Sequence, residues 1–78
     1  MKPDQKVPVL IILSNGEVRE GHWLKDINKY ERNVNRWRIY KTGKTVPDEE
    51  VVAWAYIDEL KHADDNTLTV QIHYNIDL

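Results

Sequence analysis

The side chains that could do chemistry in this chain do not form a catalytic set. Ser14 is the only serine and stands beside an Asn-Gly pair, which is typical of a turn residue rather than a nucleophile. The three histidines, His22, His62 and His73, are far apart and lack the spacing of a zinc site. The sequence therefore predicts no metal site and no cofactor.

Two further patterns also point away from catalysis. Gly43-Lys44-Thr45 matches only the end of a phosphate-binding loop, because the earlier glycine and a clear following helix are missing. The adjacent carboxylate pairs, 49–50 and 64–65, fall in polar segments, whereas a catalytic carboxylate needs burial to shift its acidity. We predict that the protein is not an enzyme.

A charge asymmetry along the chain carries the main functional signal. Residues 25–44 include seven basic and two acidic side chains, a local charge of +5, while the remainder carries −7, which gives the total of −2. Cations mixed with aromatic rings can neutralise phosphates and stack on bases, and they can also pair with the carboxylates of a protein. The candidate binding residues are Lys25, Lys29, Tyr30, Arg32, Arg36, Arg38 and Tyr40.

The sequence leaves three interpretations of this basic segment open. Its side chains can form a solvated sheet face, an interface for an acidic protein, or a nucleic-acid interface. The acidic remainder of the chain would repel a long polyanion unless the two charges lie on opposite faces. An acidic protein is therefore favoured over nucleic acid as the partner.

The length and composition limit the class of protein. A chain of 78 residues is expected to form a single small domain over 1–78, and such a domain buries only roughly 60% of its unfolded surface. There is no cysteine, so three tryptophans and four tyrosines must supply much of the core. The apolar run 7–13 is too short for a signal peptide or a membrane span. We expect a cytoplasmic protein without membrane contact.

The segment VLIILSNGEVREGHW, residues 9–23, predicts a β-hairpin. Asn-Gly between an apolar and an alternating run is typical of a two-residue type I′ turn. This turn would place Gly21 opposite Leu10, with Trp23 at the core. Because the first strand is apolar on both faces, we expect it to be central in the sheet.

The rest of the chain is also predicted to be mainly β. Residues 35–40 alternate, with Trp37 and Ile39 on one side of the strand. Residues 46–65 fit either a strand through Trp54 or a helix starting at Asp48; the strand is favoured, with a helical turn near 58–62. The last strand is expected to bury Leu68, Val70, Ile72, Tyr74 and Ile76. The predicted fold is a small bent antiparallel sheet or an SH3-like barrel of about five strands, with at most one short helix within 48–62.

The order of glycines and tryptophans suggests a family. An apolar strand, Gly16, Gly21-x-Trp23, Trp37 and Val52-x-Trp54 follow one another within 7–60. This pattern resembles a family of small phage and prophage proteins described only as domain of unknown function number five-five-one. This chain differs from the family in two places. Ala53 stands where the family usually has histidine, and the family's proline-rich end after the closing tryptophan is replaced by Ile57-Asp58-Glu59-Leu60 and an extra strand.

The resemblance implies a phage-like origin rather than a mechanism. Together with the missing catalytic set, it predicts a non-enzymatic binding module that acts on a protein of a bacterial host or of its phage. The alternative is a nucleic-acid-binding module that uses the basic segment 25–44.

Overall fold

The computed structural model describes residues 2–24, 36–58 and 71–76, which contain one six-stranded antiparallel sheet. The strands are β1 (Val9–Leu13), β2 (Val18–Trp23), β3 (Trp37–Ile39), β4 (Thr45–Val46), β5 (Val51–Tyr56) and β6 (His73–Tyr74). Their order in the sheet is β4-β3-β2-β1-β5-β6. The mainly β prediction is confirmed in its open-sheet form, and β4 is the strand that the sequence did not predict.

β1 occupies the centre of the sheet, as its apolar sequence predicts. It pairs with β2 on one side and with β5 on the other. Val9 and Ile11 are fully buried on one face, which we call the core face, and Leu10 and Ile12 are half-buried on the other, the outer face. A strand covered on both faces needs apolar side chains along its whole length.

The turn between β1 and β2 has three residues instead of the predicted two. Ile12 pairs with Val18, and the Gly16 N–H donates to the Leu13 carbonyl at 2.9 Å. Gly16 is the one turn residue with a positive φ, 88°, so the loop closes with a left-handed glycine rather than as type I′. The predicted register is wrong by one residue, and this slip exchanges the faces of β2 relative to β1.

Because of this register, Gly21 belongs to the core face. It lies opposite Val9 in β1 and opposite Ile39 in β3, so its predicted pairing with Leu10 is wrong. A Cβ atom at Gly21 would lie 1.9 Å from the backbone oxygen of Arg38. Glycine is therefore required here by the close approach of β2 and β3.

All three tryptophans contribute to the core face. Trp37 and Trp54 are almost completely buried and Trp23 is 7% exposed, with the Trp23 and Trp37 ring centroids 5.1 Å apart. The predicted core position of Trp23 is thus confirmed. Residues 2–6 pass beside this face: Pro3 is buried, and the Lys6 N–H donates to the Trp23 carbonyl at 3.1 Å.

Residues 51–56 form a strand, which confirms the favoured interpretation of that segment. The pairing of β1 with β5 shifts register between Ile12 and Leu13, and this irregularity places both Val51 and Trp54 in the core. A short 3-10 turn, Asp48–Glu50, precedes the strand. The predicted helical turn near 58–62 lies outside the described residues from position 59 onward.

The orientation predicted for the last strand is wrong. Trp54 pairs with His73, whose ring stacks on the indole with centroids 4.1 Å apart. Tyr74 is consequently 69% exposed, and Ile72 and Ile76 are also exposed. The aromatic surface of Trp54 is thus covered by the His73 imidazole. Leu68 and Val70 lie outside the described residues.

Candidate functional site

An open groove lies between β2 and the turn that joins β3 to β4. Its volume is about 710 Å³, and its lining residues are Val18, Arg19, Glu20, Ile39, Tyr40, Lys41 and Thr42. Val18 is 50% exposed and Tyr40 42% exposed. The groove therefore offers two large apolar groups to solvent, with the cations Arg19 and Lys41 in the same lining.

The turn that forms one wall of the groove is held by backbone hydrogen bonds. The Tyr40 N–H donates to the Glu20 carbonyl at 3.0 Å, which continues the pairing of β2 with β3. The Gly43 N–H donates to the Ile39 carbonyl at 2.8 Å, and Gly43 has a φ of 71°, a conformation that favours glycine. Arg38 Nη1 donates to the Gly43 carbonyl at 2.8 Å. The position of the wall is thus fixed before any ligand binds.

A cluster of three polar side chains on the outer face shares Tyr40 with the groove lining. His22 Nδ1 and the Tyr40 hydroxyl are 2.9 Å apart, and the two rings meet edge to face with centroids 5.2 Å apart. Arg38 lies directly opposite His22 in the β2–β3 pairing. We call these three residues the His22 cluster.

The pKa values of His22 and Tyr40 in this cluster are shifted in opposite directions. Burial, together with the nearby charges of Arg38 and Lys6, lowers the pKa of His22 below its ordinary value. Burial and the charge of Glu20 raise the pKa of the Tyr40 phenol. Both shifts favour the neutral imidazole and the protonated phenol, and the direction of the hydrogen bond between Nδ1 and the hydroxyl follows the imidazole tautomer.

The groove and its surroundings carry charges of both signs. Arg19 forms an ion pair with Glu17 and donates through Nη1 to the Val18 carbonyl at 2.9 Å. Among the described residues of the lining Glu20 is the carboxylate, and Lys41 is exposed there. The electrostatic field in the groove is accordingly set by these neighbouring charges, and a ligand would need charges that complement them.

The structure distributes the predicted binding residues over different places. It brings Arg38 and Tyr40 together with His22, on the side of β3 opposite Trp37 and Ile39. The Arg36 guanidinium lies 5.7 Å from the Trp23 ring centroid, against the core face. The other candidates, Lys25, Lys29, Tyr30 and Arg32, lie outside the described residues.

Sequence reasoning missed His22 and the groove residues of β2. Val18, Glu20 and His22 alternate along β2 and therefore share one face. Because the turn has three residues, Leu10 and Ile12 of β1 lie on the same face as these β2 residues. This is the outer face of the sheet, not the core face. The usable signal was Gly16, because a left-handed glycine that follows a turn is also typical of three-residue hairpin loops.

A second polar cluster joins distant parts of the sheet around Asp48. Its carboxylate accepts hydrogen bonds from Trp37 Nε1 at 2.9 Å and from Asn75 Nδ2 at 3.0 Å, and it pairs with Lys2 Nζ at 3.0 Å. Burial raises the pKa of Asp48, but the hydrogen bonds and the Lys2 charge outweigh it and hold the pKa below its ordinary value. These contacts give the cluster a structural role.

This cluster predicts an acid-sensitive contribution to stability. Because the folded pKa of Asp48 is depressed, its contribution is present above the unfolded pKa of about 4 and is lost as the pH falls through the folded value. Asp48→Asn should lower the free energy of unfolding by about 1–2 kcal/mol at neutral pH. Urea titrations of both proteins at neutral pH and at acid pH should show that the difference shrinks in acid.

The control for this prediction is Glu49→Gln in the same 3-10 turn, where the side chain is exposed. It should leave the unfolding free energy within about 0.5 kcal/mol of wild type at either pH. A loss for Asp48→Asn that is equal at both pH values would contradict the role assigned to the charge.

Within 2–24, 36–58 and 71–76, no three His, Asp or Glu side chains are grouped in a way that could hold a metal ion. No helix in the described part of the chain is long and apolar enough to cross a membrane.

In comparisons with known proteins, no family model, curated protein or solved structure matched the chain. The resemblance to the phage family consequently stays a prediction. The fold and the site themselves define a small antiparallel β domain with an open groove between β2 and the β3–β4 turn.

Proposed function

We propose that the protein is a non-enzymatic binding module that takes a short segment of an acidic protein into the groove between β2 and the β3–β4 turn. The observation that supports this most strongly is the lining of the groove, which combines exposed apolar groups with cations.

The apolar part of the groove would supply most of the binding free energy. Val18 and Tyr40 are about half exposed, whereas Ile39 beside them is 5% exposed and forms part of the packed core. Burying an exposed aliphatic side chain and a tyrosine ring is favourable, and tyrosine is enriched among the residues that dominate interfaces. A partner segment would therefore place at least one apolar side chain here.

The charged part would select a partner with carboxylates. Lys41 lines the groove and Arg38 lies beside it, against the lining carboxylate of Glu20, whereas the charge of Arg19 is already paired with Glu17. Cations at the rim attract an acidic segment from solution and repel a basic one. Glu20 disfavours a continuous polyanion, which is why a protein suits this surface better than nucleic acid.

The resemblance to phage proteins adds the class of partner to this proposal. On that basis the acidic segment belongs to a protein of the bacterial host or of its phage, and binding takes place in the host cytoplasm.

A displayed library of random short peptides, selected against the folded protein at physiological ionic strength, would test the proposal. Selected peptides should carry aspartate or glutamate next to an apolar residue. For the best peptide, Lys41→Glu should weaken binding about tenfold, or about 1.4 kcal/mol. Lys44→Glu is the control, because it makes the same charge change in the same turn but outside the groove lining. At physiological ionic strength, where charges are screened beyond about 8 Å, it should weaken peptide binding less than about twofold.

Three results would overturn the proposal. One is a selection that yields no acidic peptides, another is equal losses for Lys41→Glu and Lys44→Glu, and the third is duplex DNA binding more tightly than the best peptide.

A further inference from the structure

We propose that His22 and Arg38 form a binding position for a single carboxylate, which bridges the His22 Nε2–H and the Arg38 guanidinium, with Tyr40 as the positioning residue. The inference rests on the proposed function, because the carboxylate would be a side chain of the acidic partner segment.

In the proposed tautomer the Tyr40 hydroxyl donates to His22, and this decides which imidazole nitrogen is available as a donor. His22 Nδ1 lies 2.9 Å from the Tyr40 hydroxyl, and the edge-to-face contact of the rings holds the imidazole orientation. With Nδ1 occupied as an acceptor, Nε2 carries the proton and is the atom left to donate. A neutral imidazole that donates one N–H matches a carboxylate oxygen.

Arg38 supplies the second donor from the neighbouring strand. It is directly opposite His22, and opposed residues on one face of a sheet have Cβ atoms roughly 4.5–5.5 Å apart. Nη1 is held by the Gly43 carbonyl at 2.8 Å, which fixes the plane of the guanidinium. Arginine has five N–H donors in a planar fork, so this contact leaves others for the second oxygen of the same carboxylate.

The charge around the position suits one negative charge. Arg38 and Lys6 are the cations that act on His22, and Glu20 is the anion that acts on Tyr40. A carboxylate pairs with the positive charge of Arg38, whereas Glu20 would repel a phosphate dianion more strongly than a single carboxylate.

Thermodynamic linkage gives this position a spectroscopic signature. A carboxylate next to His22 stabilises the imidazolium, so binding must raise the pKa of His22, and by reciprocity the carboxylate binds more tightly as the pH falls through that pKa. Three groups act on the His22 imidazole and so influence its pKa: Arg38, Tyr40 and Lys6. Glu20 in turn acts on the Tyr40 phenol.

The test uses acetate as the probe and the folded wild-type protein. The imidazole resonances of His22 are titrated by NMR in sodium acetate and in sodium chloride of equal ionic strength, above the pH at which acetate itself protonates. The His22 pKa should be about half a unit higher in acetate, which corresponds to an about threefold preference of acetate for the charged ring. The amide resonances of β5, which lies on the far side of β1 from β2, are the internal control and should coincide in the two salts.

Two variants separate the roles within the cluster. Arg38→Gln removes the second donor and should abolish the difference between acetate and chloride. Tyr40→Phe keeps the ring but frees Nδ1 to carry the proton, so the difference should shrink while Arg38 stays in place. Identical His22 curves in the two salts, or a difference that survives Arg38→Gln, would overturn the inference. The effect of Lys41→Glu on the selected peptide tests the groove separately, so the two proposals can fail independently.

Discussion

Replacing Trp37 by alanine should remove about 3–5 kcal/mol, a large part of the free energy of unfolding of the domain. The side chain is completely buried, contacts Trp23, and donates its indole N–H to Asp48 at 2.9 Å. Truncation of a buried tryptophan costs about 3–5 kcal/mol, and a domain of this length has about 4–12 kcal/mol in total. The measurement is urea unfolding followed by far-UV circular dichroism.

Trp37→Phe separates the packing of the ring from its hydrogen bond. Phenylalanine keeps most of the apolar area but leaves Asp48 without the indole donor, so the loss should be about 1–2 kcal/mol and the protein should stay folded. If Trp37→Ala retains its unfolding midpoint, then Trp37 is not part of the core as described.

Gly21→Ala should be the most damaging single-methyl change in the described strands. The new Cβ would lie 1.9 Å from the Arg38 carbonyl oxygen and 2.8 Å from Ile11 Cδ1. The first of these atoms belongs to backbone, so β2 and β3 would have to separate. Overpacking of a core typically costs about 1–3 kcal/mol, and we expect at least the upper end of that range.

Gly16→Ala is the matched control for Gly21→Ala. A Cβ there meets no atom within 4 Å, so its cost comes only from the φ of 88° and should be about 1 kcal/mol. Thermal unfolding of both variants gives the comparison. Equal losses at Gly16 and Gly21 would show that close strand approach does not explain the requirement at Gly21.

The general fold could be predicted because the strands carry strong local signals. The apolar run of β1 predicted a central strand, and alternation around Trp37 and Ile39 predicted which side of β3 is buried. Strand was also favoured correctly for 51–56, where β-branched and aromatic residues are dense. β4 escaped prediction because two residues are too few to show any period.

The predictions of turn type and strand orientation were wrong where the local sequence pattern allowed more than one structure. Asn15-Gly16 satisfies a type I′ turn, but the observed loop uses Gly16 alone at positive φ, with the Asn15 side chain accepting a hydrogen bond from the Glu17 N–H at 2.9 Å. In β6, alternation predicted Tyr74 as buried, but His73 stacks on Trp54. No periodicity in β6 itself can specify that partner.

The candidate site could be predicted only in part. The charge asymmetry pointed to Arg38 and Tyr40, which the structure places beside His22 and the groove. The groove itself depends on the pairing of β2 with β3 and on the turn held by Gly43, which are contacts between segments that are separate in the sequence. A single sequence specifies such contacts weakly, since many pairings of short strands satisfy the same pattern.

The most direct test of the central claim is to locate the binding site of the selected acidic peptide on the protein. Amide NMR shifts of the wild-type protein should be recorded during titration with the best peptide and with its analogue in which Asn and Gln replace Asp and Glu. We predict that the largest shifts fall at Val18, Tyr40 and Lys41, and that the analogue produces much smaller ones. Largest shifts around Val52 and Tyr74, which are exposed near the opposite edge of the sheet, would contradict the assignment of the groove as the binding site.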